Sequence, residues 1–325
     1  TLSLEEWKKV LSIGIDIGGT KILGALVDQD GNVLEQIRVP SPAKNADLMI
    51  AEVAGLALAL MDKADSKVSG IGIAAAGFID AGQSTVLYSP NLSWRNEPLR
   101  ERLEHAISHP IVIENDANAA GWAEYRFGAG RGSKNMVMLT LGTGVGGAVV
   151  LDGAIRRGGF GIAGELGHIR VVREGLQCGC GRRGCVEQYA SGTALLLAAR
   201  ELASSGNQLG GFLASLPREG AELSGRDVQK ALENKDPGTL GLLATVGHYL
   251  GEAMGTITAT FDPEVYVIGG GLSEAGDLLL DPIRRSFLSE LPARGFRPEA
   301  QIFAAAFSNQ AGVIGAADLA RESLR

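Results

Sequence analysis

Cysteine is scarce. Cys178, Cys180 and Cys185 are the only three in 325 residues, and they all fall in one short stretch. Three thiols cannot all pair within one chain, so a disulfide framework is excluded. Positive charge is also short: 37 Asp and Glu stand against 30 Lys and Arg, a formal net charge of −7. That balance speaks against a nucleic-acid surface and leaves room only for a local basic patch. Long apolar runs are missing as well. The longest, "LMIAEVAGLALALM", contains an acid and falls short of the roughly 20 residues a membrane span needs. The opening "TLSLEEWKK" has no apolar signal core behind a basic start. The expected location is therefore cytoplasmic, with no membrane partner, where structural disulfides are rare.

What is present describes a globular enzyme-sized chain. Apolar residues make up 45% and charged residues 21%, and the length predicts about two domains. "LSIGIDIGGTKILGALVDQDGNVLEQIRVP" reads as strand, glycine turn, strand, "DG" turn, strand. The spacing predicts helices over Ala46–Lys63 and Pro98–Ile107, a strand at "PIVIEND", and a helix over "ANAAGWAEYRFG". The first pattern then recurs in "NMVMLTLGTGVGGAVVLDGAIRRG", a weak internal duplication. Ser204–Gly238 reads as a helical excursion with little chemistry. A long helix over Thr239–Thr260, a strand ending in three glycines at "EVYVIGGG", and a small-residue helix at "NQAGVIGAADLAR" complete the chain.

The glycine turns suit phosphate. In "DIGGTK", Gly18 and Gly19 let backbone N–H groups face an anion without Cβ obstruction. Thr20 adds a hydroxyl, Lys21 a charge, and Asp16 a carboxylate able to hold Mg²⁺ through water. The Walker A spacing is absent. "LGTGVGG" (Leu141–Gly147) matches this turn in type and position. "GGG" at Gly269–Gly271 ends an apolar strand, where nucleotides bind in open α/β sheets.

Two polar groupings remain. "VIENDANAA" puts Asn115 and Asp116 at a strand-to-helix junction. Free N–H groups there can fix the direction of a carboxylate, as a positioned base requires, or the pair can simply cap the helix. "GIAGELGHIR" sets Glu165 and His168 three residues apart, shortly before the cysteines. His168, Cys178, Cys180 and Cys185 make a Cys₃His set suited to structural zinc. Arg182 and Arg183 would ease the thiolate charge, and Glu187 would be held close to the metal loop. A redox pair would need C-x-x-C, which is absent.

Taken in order, "DIGGTK", "END-N-A", "LGTGVGG", "GE-GH", "CGCGRRGCVEQYASG" and "GGG" resemble the ROK family (repressors, open reading frames and kinases), chiefly its glucokinase branch, from about residue 12 to 321. The resemblance implies the two-domain α/β fold of sugar kinases, actin and Hsp70, ribonuclease H-like in each half, with a cleft between the domains. The expected domains are residues 1–117, joined by a C-terminal helix at 309–325, and residues 118–308 with the zinc loop.

The activity implied is ATP-dependent phosphorylation of glucose to glucose 6-phosphate, with Mg²⁺ accompanying ATP. Asp116 matches the family's base. Gly77, Asn91 and Asn115 match sugar contacts, and Glu165, His168 and Glu187 match the groups around the anomeric end. Gly19, Thr20, Lys21, Thr143 and Gly144 match the phosphate turns, with Asp16 beside them, and Gly270 and Gly271 match the nucleotide end. Ala76 departs from the proline many members have before the Gly77 loop, which bears on tolerance for other hexoses. A homo-oligomer, dimer or tetramer, is the implied assembly. The alternatives are a kinase for another hexose or one using polyphosphate. A sugar-responsive repressor is disfavoured, since about ten residues precede the first strand and a helix-turn-helix domain needs more.

Overall fold

Strands β1 (Leu11–Ile17) and β2 (Lys21–Val27) pair antiparallel around the first glycine turn, and β3 (Val33–Pro40) adds beyond the "DG" turn. That second turn is closed by Asp28, whose Oδ1 accepts from the N–H groups of Asp30 and Asn32, both at 2.9 Å. The computed structural model from which this description comes covers residues 10–217 and 221–323.

Helix α1 (Ala46–Asp62) follows, with Asn45 as its N-cap accepting from Leu48 N–H. Strand β4 (Val68–Ala75) then lies parallel to β1. Short strands β5 (Phe78–Ile79), β6 (Val86–Tyr88) and β7 (Arg95–Glu97) form a separate three-stranded sheet. Helix α2 (Leu99–Ile107) leads to β8 (Ile111–Asn115), parallel to β4, and β8 runs directly into α3 (Asp116–Arg126). The first large sheet therefore has the order β3-β2-β1-β4-β8. The aliphatic faces of α1 and α2 bury Val53, Leu56, Leu60, Leu99 and Leu103 against Ile13, Ile15, Ile71 and Ile73 of the sheet.

The second large sheet repeats this order. It is built from β9 (Met136–Leu141), β10 (Val145–Leu151), β11 (Ala154–Ile155), β12 (Val265–Gly269) and β13 (Gln301–Ala304), arranged β11-β10-β9-β12-β13. In both sheets the hairpin strands lie to one side of the first strand and the crossover strands to the other, which makes the duplication suggested by sequence visible in topology.

The described residues divide into two compact units. The first holds the residues up to Lys134, Ala148–Gly164 and those from Ala306 on; the second holds Asn135–Gly147 and Glu165–Ala305. The first unit thus runs through α3, past residue 117 where the sequence expectation sets the boundary, and the division falls inside β10.

In the second unit a 3₁₀ turn (Leu166–His168) precedes the cysteine loop. Six helices follow: α4 (Glu187–Ala190), α5 (Gly192–Ser204), α6 (Gly211–Ser215), α7 (Gly225–Glu233), α8 (Pro237–Phe261) and α9 (Asp277–Glu290). Gly247, Gly251 and Gly255 form a stripe along α8 that lets α9 approach closely; a Cβ on Gly251 would meet Ser286 Cβ at 2.4 Å. No described helix is long and apolar enough to cross a membrane.

Helix α10 (Ala311–Glu322) belongs to the first unit and packs on β1, β4 and α3. Contact there is backbone against backbone. A Cβ on Gly14 would lie 1.8 Å from Val313 O, one on Gly72 1.8 Å from Ala316 O, and one on Gly315 1.7 Å from Ala119 O. No side-chain rotation relieves such overlap, so even the smallest substitution must displace the helix. Gly72→Ala should therefore destabilise the first unit by about 1–3 kcal/mol, read as a lower midpoint in thermal or denaturant unfolding. An unchanged midpoint would show that α10 can slide without cost.

Candidate active site

The carboxylate of Asp116 is placed by the junction of β8 and α3. Asn115 is the N-cap, in extended conformation, with its Oδ1 accepting from Asn118 N–H at 3.0 Å. Its Nδ2 donates to the carbonyl of Gly77 at 3.1 Å. Asn115 thus ties the helix start to the Gly77 loop, where φ is +139° and a Cβ would lie 2.3 Å from Tyr88 O. Asp116 opens the helix and its Oδ1 accepts from Ala117 N–H at 3.0 Å. Burial pushes the Asp116 carboxyl above its ordinary value, opposed by the backbone N–H groups of Ala117 and Asp116 itself. Asp16, at the end of β1, is pushed up to about 7, first by burial and then by the charge of Asp116, with Lys21 opposing. Two buried carboxyls with raised pKa values, one of them lifted further by the charge of the other, suit a place where a cation gathers beside a base.

Beneath Asp116 lies Glu114, almost fully buried. Its Oε1 accepts from Asn115 N–H and Asn118 Nδ2, each at 3.0 Å. Its Oε2 accepts from Arg157 Nε at 2.6 Å and Gln83 Nε2 at 3.2 Å. Four donors, one of them a guanidinium, therefore hold the residue two before Asp116. The first glycine turn is closed by Gly18 N–H donating to Lys21 O at 3.0 Å, and Gly19, Thr20 and Lys21 are exposed. A Cβ on Gly19 would sit 3.4 Å from Asn91 Cβ. The first unit thus brings Asp16, Gly19, Gly77, Asn91, Asn115 and Asp116 into linked surroundings.

The second unit holds the other expected residues. Its glycine turn is closed by Gly142 N–H donating to Gly144 O at 3.0 Å. Thr143 and Gly271 line a cavity of about 510 Å³. Leu195, Leu196, Val228, Leu232, Leu272 and Leu278 supply its apolar wall, and Thr193, Gln229 and Glu233 its polar edge. Gly270, with φ of +80°, seats the end of β12 against β9; a Cβ there would lie 2.5 Å from Leu141 O. A largely apolar cavity opening beside a glycine turn can take a flat ring system with phosphates at its mouth. Helix α7 in this wall lies within the segment to which sequence reading assigns little chemistry.

The third grouping is the cluster of His168, Cys178, Cys180 and Cys185, whose ligand atoms all lie within 4.8 Å of one another. Cys180 and Cys185 Sγ are 3.7 Å apart, and Cys178 Sγ is 3.6 Å from His168 Nδ1. A tetrahedral site with metal–sulfur bonds of about 2.3 Å has edges of about 3.8 Å, so this donor set fits zinc. His168 Nε2 lies 3.9 Å from Glu165 Oε2, so the two polar groups sit side by side at the edge of the cluster. Burial pushes the Cys178 thiol up, with the Cys180 thiol adding and the Cys185 hydrogen bond opposing, and pushes that of Cys185 up to about 12, with both neighbouring thiols adding. At Cys180 burial opposes ionisation, but the Arg182 N–H, the adjacent thiols and the Arg182 charge outweigh it and lower the value. Thiolates at the two buried positions need a cation to be stable.

Residues 12–323 match the ROK family. The chain is similar to the glucokinase of Streptomyces coelicolor, 42% identical over 96% of this chain and 98% of that one. It is also similar to the glucokinase of Halalkalibacterium halodurans, 36% identical over 95% of this chain and 94% of that one. Among solved structures it is similar to the ROK family glucokinase of Streptomyces griseus, crystallised in complex with glucose and AMPPNP. That match has a TM-score of 0.86 and 42% identity, over 96% of this chain and 99% of that chain.

From the cluster geometry we expect one zinc per chain, with all four ligands from protein and no position left for water. Elemental analysis of purified protein should give about one zinc per chain, consistent with a closed four-ligand site, and Cys180→Ser should lose most of it. A zinc-free protein with an intact, ordered cysteine loop would contradict this.

Proposed function

The chain belongs to the ROK family, and from that membership we propose that it is a hexose kinase transferring the terminal phosphoryl group of ATP to the 6-hydroxyl of glucose. The observation that carries the reading is the anchored Asp116. Its carboxylate opens a helix whose N-cap side chain is hydrogen-bonded to the Gly77 loop, with a four-bonded glutamate behind it. The nucleoside-sized cavity beside the second glycine turn, and the similarity to a glucokinase crystallised with glucose and AMPPNP, support the same reading.

In this mechanism Asp116 accepts the proton of the sugar hydroxyl as that oxygen attacks the γ-phosphorus. The bond from that phosphorus to the bridging oxygen breaks, and ADP leaves. A carboxylate with a raised pKa is the stronger base for this step. Asn115, Asn91 and the Gly77 backbone hold sugar hydroxyls, with Glu165, His168 and Glu187 serving the anomeric end. N–H groups of the two turns, at Gly19, Thr20, Thr143 and Gly144, face the phosphates, with Lys21 adding charge and Gly270 and Gly271 bordering the nucleoside. Mg²⁺ bound with ATP would shield the phosphate charge, and Asp16 is the carboxylate that would hold it. Zinc at the Cys₃His cluster supplies shape to the loop and takes no part in the transfer.

Asp116→Asn should lower kcat by about 10²–10⁴, the loss of a positioned base, with glucose affinity changed far less. The base works only when ionised, so kcat should fall as pH drops through its raised pKa. That acid limb should lie above the ordinary aspartate value of about 3.9. A panel of hexoses with ATP or polyphosphate, read by the phosphorylated sugar formed, tests the reading as a whole. Turnover of glucose with ATP and not with polyphosphate is expected. Purified protein that phosphorylates no hexose would refute it, and near-normal kcat in Asp116→Asn would reduce Asp116 to a helix cap.

A further inference from the structure

The segment leaving the last cysteine reaches back to the second glycine turn. Glu187 begins α4, two residues after Cys185. Its Oε2 accepts from the backbone N–H of Val145 at 3.1 Å, and its Oε1 lies 3.8 Å from Cys178 Sγ. Gly144 leaves the carboxylate its room, since a Cβ there would fall 2.3 Å from that Oε2. Further along the same segment, Gly192 N–H donates to Gly142 O at 2.8 Å and the Thr193 hydroxyl donates to Thr143 O at 2.7 Å. On the other side of the cluster, Gly167 lies directly before His168 and packs on Val145; a Cβ on it would be 2.0 Å from Val145 O.

These contacts hold the turn at every residue but Gly144, whose carbonyl is already taken by Gly142 N–H. With the N–H groups of Gly142 and Val145 engaged, those of Thr143 and Gly144 are the two this arrangement presents to an oxyanion. The carboxylate that fixes Val145 belongs to the residue two positions beyond Cys185, so its backbone is set where the cluster closes. We infer that Glu187 is a positioning residue for the nucleotide-phosphate turn: anchored by the Cys/His cluster, it keeps residues 142–145 in phosphate-binding shape, so that nucleotide affinity depends on the cluster loop. The inference rests on the kinase reading above and gives Glu187 a task that needs no sugar present.

Calorimetric titration of the zinc-bound protein with a non-hydrolysable ATP analogue, without sugar, tests this, with glucose titrated separately. Glu187→Ala should weaken analogue binding about tenfold, the scale of a hydrogen bond to a charged group. Gly144→Ala pushes on the same carboxylate. It should weaken the analogue in the wild-type background and add little in the Glu187→Ala background, because both changes remove one contact. If Glu187 served the sugar alone, Glu187→Ala would lose glucose and bind the analogue as wild type does; that result overturns the inference and leaves the kinase reading standing. Wild-type protein that binds neither ligand would refute both. Zinc is measured on each variant. Should Glu187→Ala shed its metal, Gly144→Ala decides alone, since it touches no metal ligand, and unchanged analogue affinity in it overturns the inference.

Discussion

Three thiols and an imidazole drawn within 4.8 Å are the constraint on which the second unit's site depends. The loop that carries them has little core of its own. Between Ile169 and Val186 only Cys178, Gly184, Cys185 and Val186 are buried, so two ligands make up half of what the loop buries. Burial raises the pKa of two of the thiols, so the loop closes on a cation or carries neutral sulfur there. The residues that follow at once, Glu187, Gly192 and Thr193, take their positions from that closure and pass them to the turn at 142–145.

In the first unit a buried carboxylate is held by protein partners. Glu114 is a buried carboxylate, which is costly unless paired and fully hydrogen-bonded. Arg157 pairs it, and Gln83, Asn118 and the Asn115 N–H complete its set. Removing one partner from such a set is more damaging than the set is stabilising, which gives it stiffness. Asp116 inherits that stiffness through Asn115. In each unit, then, a glutamate held from several directions sits next to the group proposed to meet a ligand, and the two glycine turns supply backbone donors on repeated hairpins.

Much of this was legible in the sequence because it is local. Alternating aliphatics broken by "GG" or "DG" fixed the two hairpin sets, the "ND" pair marked the start of α3, and three cysteines near one histidine marked the cluster. What was not legible is what distance in sequence conceals. Glu114 stands in a quoted motif, yet its partners Gln83 and Arg157 come from 31 and 43 residues away. Helix α7 falls in the segment read as having little chemistry, because an apolar ring pocket asks only for aliphatic side chains, which any core also uses. The strands of the three-stranded sheet are two or three residues long, too short for a periodicity to register. Gly14 and Gly72 lie inside segments that read simply as strands, and only α10 lying on them explains their size.

Amide hydrogen exchange on the protein with zinc bound and after its removal by a chelator measures most directly whether the cluster organises the site. The account predicts that exchange accelerates in the cysteine loop and, together with it, at residues 142–145 and at Gly192, while β12 and the core of α8 keep their protection. Faster exchange confined to the cysteine loop, with Val145 and Gly192 unchanged, would contradict it.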